Sequence, residues 1–446
     1  MAKKVERSLG KEIQIDLYQV ANYLNENTRE QLGVYLPWVF IYLQDPLVAK
    51  TDPAVGIQEI EIIKEPSLRS GPASARLAVV DYDVDKGELR QGASLKMVRG
   101  KVSHFVTSAG KPLDAKAADL PEFRQVNAWA VAQSVLDLFE HPTALGRLLP
   151  WGFQGNRLLV LPHAGYGNNA YYDRSSKSLQ FYYYGDLDAP KYTCLSHDII
   201  AHETGHAILD GLRPYYLNFT SVQTAAFHEF VADLSAIVSA LRNNQVRLSD
   251  SKRTQGDMTR DGIIQGLAEE FGDHISGAGP LRSANNDETM DSIQDNPSPH
   301  DCSLVLSGAM FEIFTGVVNS HLVEEAGEGA IKAASPLQRL WYATPRFIRM
   351  AIQPLDFLPP VDVTFLDYAR AVMQHLLLYE PYDSPQRELY INLVRTVFHK
   401  RKLCPIALDP AQPHACILES RYLPAAWDIS YPVSAIAASP TSAYQF

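Results

Sequence analysis

Apolar positions recur along this chain in two rhythms. In VNAWAVAQSVLDLFE, which begins at Val126, Ala130, Val131, Val135, Leu136 and Phe139 fall at helical spacing and can share one face. The same rhythm returns in FLDYARAVMQHLLLY, which puts Phe365, Ala369, Val372, Met373 and Leu376 on one side. It returns again through Leu389, Leu393, Val397 and Phe398, where Ser384-Pro385 supplies a cap followed by proline in the first turn. Between residues 55 and 110 the rhythm shortens. EIEIIKEP, ARLAVVDYDVD and SHFVTSAG are β-prone runs separated by Gly, Pro, Ser and Lys turns. RLLVLPH and SLQFYYYGD read as further strands. The densest apolar run, VYLPWVFIYL at 34–43, is about half the roughly 20 residues that a membrane-spanning helix needs, and predicts a buried strand or helix. Beyond Leu195 the pattern is mainly helical. This order predicts an α+β fold with a boundary between residues 230 and 250. The divisions expected are an N-terminal extension at 1–60, a β-rich lobe at 61–235, a helical lobe at 236–402 and a Ser/Ala/Pro-rich tail at 403–446.

Composition narrows the classes. With 46% hydrophobic and 20% charged residues among 446, the chain is too apolar to be disordered. A net charge of −11 disfavours the phosphate backbone, so no nucleic-acid partner is expected. Lys3, Lys4 and Arg7 precede interrupted polar sequence rather than an apolar core, so neither a secretory signal nor a membrane partner is expected, and the predicted location is cytoplasmic. Export by a signal-independent route stays open. The four cysteines contain no CxxC pair, which argues against a cysteine zinc site. Reduced thiols are the expectation, with a Cys404–Cys416 bond as the alternative.

One segment carries chemistry. HDIIAHETGHAILDG contains His202-Glu203-Thr204-Gly205-His206, an HExxH. On a helix, positions four apart share a face, so both imidazoles can reach one Zn²⁺ with Glu203 beside it to take a proton from water. The flanking Ile199, Ile200, Ala207, Ile208 and Leu209 make this an apolar helix, where charged groups need compensation. A catalytic zinc needs a third protein ligand. Leu209 and Leu212 rule out the longer HExxHxxGxxH pattern. Downstream, AFHEFVADLSAIV offers Glu229, 23 positions past His206, and Asp233 one turn later. Glu229 is the expected ligand, and Asp233 the acceptor for the distal nitrogen of a zinc histidine. His228 is a rival ligand, expected to face away if Glu229 faces the metal.

HETGH followed by HEFVAD resembles the metal-binding helices of the thermolysin-family zinc metallopeptidases, in the gluzincin group. The resemblance covers roughly residues 120–402 and is strongest around these motifs. It implies a thermolysin-like fold, with a zinc cleft between a β-rich and a helical lobe. It also implies one Zn²⁺ per chain and a peptide or protein substrate. Asn169-Ala170-Tyr171-Tyr172 with FYYYGD resembles the family's edge strand, so Asn169 and Ala170 would pair with peptide backbone. Pro280-Leu281-Arg282-Ser283 resembles the segment whose arginine, here Arg282, holds a substrate carbonyl. Gln294 to His300 resembles the segment carrying the transition-state histidine, here His300, and its aspartate, here Asp295. A tyrosine shares the histidine's role in the family: Tyr216 is the expected residue, and Tyr215 its alternative. Ile199 and Leu281 fall where the family lines the pocket for the residue after the cleaved bond, which implies a hydrophobic preference.

Some features depart from the family. The spacing to Glu229 is a few residues longer than usual, and Pro297-Ser298-Pro299 replaces the glycine-rich approach to the histidine. The family's calcium-binding acids are not evident after Asp233, so calcium is not expected. The family is typically secreted with a signal and a long pro-segment, and neither is read here. Two other readings compete. A gluzincin aminopeptidase would carry an edge-strand glutamate, where this chain has Gly167-Asn168-Asn169-Ala170. A catalytically retired fold used as a binding module would have no need of Glu203.

Overall fold

The computed structural model of the protein describes residues 35–404. Short breaks fall at 64, 66, 84–85, 99–100, 278, 294–297, 321–322, 327–329 and 381–384. The expectations for Asp295, Ser384, Cys416 and the tail therefore lie outside the described residues.

The apolar run at 34–43 forms strand β1, Tyr35–Tyr42, as suits its aromatic and β-branched residues. Helix α1, Pro46–Thr51, leads to β2, Ile57–Ile63, which pairs antiparallel with β1. This ladder crosses residue 60. The N–H of Tyr42 donates to Oδ1 of Asn127, and Val39 and Ile41 sit in the main core. The expected boundary between an extension and a lobe at residue 60 is therefore corrected: residues 35–60 belong to the β-rich part.

β3 is Leu77–Val79. Two small hairpins follow, β4 (Tyr82–Asp83) with β5 (Glu88–Leu89) and β6 (Ser94–Val98) with β7 (Lys101–Val106). Helix α2, Pro121–Glu140, comes next, then β8 (Leu158–Leu161), β9 (Ala170–Asp173) and β10 (Ser178–Phe181). The central sheet has the order β3-β8-β10-β9, with β8 parallel to both neighbours and β9 antiparallel at the edge. α2 is buried on all faces rather than one. Its polar residues consequently carry partners: the side-chain amide of Gln125 donates to Asp81, that of Asn127 to the Cys194 carbonyl and that of Gln133 to Asp137.

The hairpin β11 (Tyr183–Asp186) and β12 (Ala189–Tyr192) delivers the chain to α3, His197–Leu212. α4, Val222–Arg242, packs directly on α3. Gly205 permits the close approach, since a Cβ there would stand 2.9 Å from the Ala232 Cα. α5 (Asn244–Thr254) and α6 (Glu269–Ser276) flank a short ladder of β13 (Gly266–Leu267) with β14 (Arg282–Ser283). α7, Pro299–Ser320, packs on α4. After the hairpin β15 (Val323–Ala326) and β16 (Ala330–Ala333), the helices α8 (Pro336–Ile352), α9 (Phe365–Tyr379) and α10 (Pro385–Lys400) complete the described chain.

α4 spans the expected boundary at residues 235 and 236, and one apolar cluster runs from Val39 to Cys404, so no break between cores falls there. α4 and α7 are long and apolar enough to cross a membrane, but 94% and 72% of their apolar windows are buried within this core. Cys194 and Cys302 are buried thiols outside any disulfide, whereas Cys404 is disulfide-bonded, which corrects the expectation of reduced thiols for that residue.

Candidate metal centre

Helical periodicity sets His202 and His206 on the same face of α3, with their Nε2 atoms 3.1 Å apart and their rings at 89°. Glu229 reaches them from α4. Its Oε2 lies 3.5 Å from Nε2 of His202 and its Oε1 3.7 Å from Nε2 of His206. Zinc–ligand bonds of about 2.0–2.1 Å at tetrahedral angles separate donor atoms by about 3.3 Å. The three distances, the last two to different oxygens of Glu229, lie around that value. Oε2 of Glu229 is also sealed from solvent and makes no well-formed hydrogen bond, with Nε2 of His300 its near neighbour at 3.2 Å. A buried carboxylate oxygen left in this way suits a cation, so the donor set fits zinc.

The donors are held from behind. Nδ1 of His202 donates to Oδ1 of Asp233 at 2.9 Å, and Arg282 on β14 donates to the same oxygen at 3.0 Å. Nδ1 of His206 lies 2.7 Å from Nδ1 of His228, and the two rings stack. His228 is not among the donors, in line with the expectation that it faces away from them, and it backs His206 instead. Nothing in the spacing could show this, because adjacent helical positions diverge and the contact forms only when α3 and α4 meet. Burial holds the pKa of His206 well below the usual imidazole range and brings that of His228 down to about 4, despite the opposing charge of Glu229. Burial opposes ionisation of Glu229, but the neighbouring His206 and His202 outweigh it and hold this carboxyl well below its usual range.

Glu203 is buried beside the donors, and its Oε2 accepts the N–H of Tyr172 at 3.0 Å. Burial, reinforced by the Glu229 charge, pushes its pKa up to about 7, against the pull of His202 and the Tyr172 bond. A carboxyl poised there can take up and release a proton near neutrality. Tyr172 belongs to edge strand β9. Its hydroxyl donates to Oδ2 of Asp210 at 2.6 Å, and Nε of Arg174 donates to the same oxygen at 2.9 Å, so the fully buried Asp210 locks β9 onto α3.

A cavity of about 180 Å³ opens over this cluster, lined among others by Asn169, Ala170, Ile199, Glu203, Leu281, Arg282 and His300. His300 stands in the first turn of α7, half-exposed, with Nε2 3.2 Å from Oε2 of Glu229. The N–H of Ala170 is occupied by Oδ1 of Asn169. The assignment of Tyr216 to the zinc cleft is corrected. Its ring is fully buried against Phe227, and its hydroxyl donates to the Pro359 carbonyl. Tyr215 is exposed. In comparisons with known proteins, no family model matches this chain, and no curated sequence is significantly similar to it.

Proposed function

We propose that this chain is a zinc-dependent endopeptidase of thermolysin type, with its cleft between the β-rich and helical parts. The observation that carries the reading is the His202–His206–Glu229 triangle, with the buried Glu203 beside it and a cavity above. Bound zinc would supply a Lewis acid that makes water acidic enough to deprotonate near neutral pH. The rest falls to residues of this chain. Glu203, poised near neutrality and oriented by the Tyr172 N–H, takes a proton from water and returns it to the leaving amine. Asp233 and His228 hold the two imidazoles in the tautomer that leaves Nε2 free. β9 is an edge strand, so a peptide can add alongside it. Arg282 lines the cavity and is available to a substrate carbonyl, and His300 to an oxyanion.

The lining supports an endopeptidase. Asn168 and Asn169 line the cavity, and neither offers a carboxylate to a free amine. Ile199, Leu267, Phe271 and Leu281 make the wall beyond Glu203 largely apolar, which favours a Leu or Phe after the cleaved bond. The test is cleavage of a terminally blocked peptide carrying such a residue. The wild type should cut it and carry about one equivalent of zinc. Glu203→Gln should keep the zinc and lose the cutting. Loss of cleavage on N-terminal acetylation would favour an aminopeptidase, and full zinc in His202→Ala would sink the ligand assignment.

A further inference from the structure

A second cavity, of about 200 Å³, opens at the start of α3 and shares no lining residue with the cleft. Asp198 lines the cleft, and its neighbour His197 lines this second cavity. The β1–β2 ladder gives it an apolar wall of Ile41, Ile60 and Ile62. Its polar part comes from three helices: Asp137 of α2, His197 of α3 and Ser239 of α4, all at least nine-tenths buried. Glu61 and Arg242 are its exposed members and mark the mouth.

These polar groups lack a donor. Oδ1 of Asp137 accepts from the side-chain amide of Gln133 at 2.8 Å, and that amide also serves Glu65. Among the described residues, Asp137 makes no other hydrogen bond and no ion pair, and its Oδ2 is not sealed from solvent, so that oxygen opens onto the cavity. The Arg242 charge acts on Asp137 without pairing with it, and those of Glu65 and Glu140 oppose it, so burial prevails and lifts its pKa to about 7. Nε2 of His197 stands 3.5 Å from Oγ of Ser239, at the limit of hydrogen bonding, and Nδ1 has no partner. Burial brings the pKa of His197 down to about 4, so this ring is neutral at ordinary pH and brings Asp137 no counter-charge.

We infer that this cavity binds a small aliphatic primary amine as its ammonium, with the charge on Asp137 and the hydrocarbon against Ile41, Ile60 and Ile62. A buried carboxylate with an open oxygen is matched by a cationic donor, and the isoleucine wall by an apolar body. Oγ of Ser239 is available as a second acceptor. A cavity of about 150 Å³ holds benzene, so this one has room for about six heavy atoms. The site shares no residue with the metal centre and does not rest on the peptidase reading. The amine would touch α2, α3, α4 and the β1–β2 ladder at once, and so brace the start of α3, five positions ahead of His202.

The test is calorimetric titration of the full chain with isoamylamine, and separately with its neutral and anionic counterparts, isoamyl alcohol and isovalerate. It is run at about pH 8, where carboxylate and ammonium are both charged. The amine should bind at one per chain with a dissociation constant of about 1 mM, an affinity within reach of six heavy atoms. The alcohol should bind at least about 10-fold more weakly, and isovalerate should give no saturable heat. Asp137→Asn, of the same shape, should weaken the amine by about 10-fold or more and leave the alcohol unchanged. Ser134→Leu, which puts a larger side chain into the cavity, should abolish binding of both. Equal binding of all three probes would mean an apolar hole that reads no charge, and preference for isovalerate would mean that Arg242 selects the ligand; either would overturn the inference. So would amine binding undiminished in both variants, which places the amine elsewhere, or a wild type that binds none of the probes, which leaves the cavity to water alone.

Discussion

The proposed zinc on Nε2 of His206 would leave Nδ1 as that ring's donor, with Nδ1 of His228, 2.7 Å away, as its acceptor. The pair can share only one proton, so His228 must carry its own on Nε2, which is buried without a partner. His228→Ala should weaken zinc binding by about 10–100-fold, as the loss of an orienting partner does. His228→Asn, which offers a carbonyl acceptor, should recover most of it; competition against a chelator reads both. Tyr216 behaves in the opposite way. Its hydroxyl serves the Pro359 carbonyl and not the cleft. Tyr216→Phe should cost about 1 kcal/mol of stability in urea unfolding, from one lost hydrogen bond, and leave kcat/KM on a blocked peptide unchanged.

At the scale of elements, the centre exists because α3 and α4 approach closely. A Cβ on Gly205 would stand 2.8 Å from Cβ of Ser235 and 2.9 Å from Cα of Ala232, and the latter is backbone that cannot turn aside. Gly205→Ala should therefore destabilise by about 1–3 kcal/mol and loosen zinc, because Glu229 retreats from the histidines as the helices separate. α2 carries a different liability. Burial pushes the pKa of Asp137 from an ordinary 3.8 up to about 7, against a hydrogen bond from Gln133 and the charge of Arg242. The folded state thus holds the proton more tightly than the unfolded chain. The stabilisation is complete below about pH 4 and is lost as the pH rises through about 7. Asp137→Asn should remove that dependence. Its urea midpoint should fall less than the wild type's between pH 5 and pH 8, by about 2–4 kcal/mol once converted to free energy.

For the whole molecule, the proposed metal is a cross-link between helices that share one core. Zinc bound only to the folded state stabilises it by mass action, by about 4 kcal/mol at 1,000 times the dissociation constant. A zinc-selective chelator should therefore lower the thermal midpoint, and added zinc should restore it. The same chelator should leave His206→Ala almost unmoved, since that variant has little zinc to lose. The edge strand depends on this unity too. β9 meets α3 through Asp210, so the edge strand and this helix are expected to resist proteolysis together rather than one before the other.

Some of this was legible in the residues alone. The helical rhythm of 126–140 and 365–379, the strand character of 34–43 and the HExxH spacing are local properties, because backbone geometry repeats every 3.6 or 2 residues whatever lies around it. Placing His202 and His206 on one face needed nothing more, and the acidic pair Glu229 and Asp233 on an apolar helix asked for a partner in the same way. Pairings between distant segments were not legible, because they depend on how faces meet rather than on any repeat. β1 joined the β-rich part by pairing with a strand across the expected boundary, and α4 ran through the second boundary because its two sides pack on α3 and α7. Tyr216 turned into the core, since a bulky ring gains more from burial against Phe227 than a loop position reveals. His228 came to His206, and Asp137 and His197 came to one cavity, only through tertiary contact: a side chain's partners are chosen by packing, and packing is a property of the whole chain.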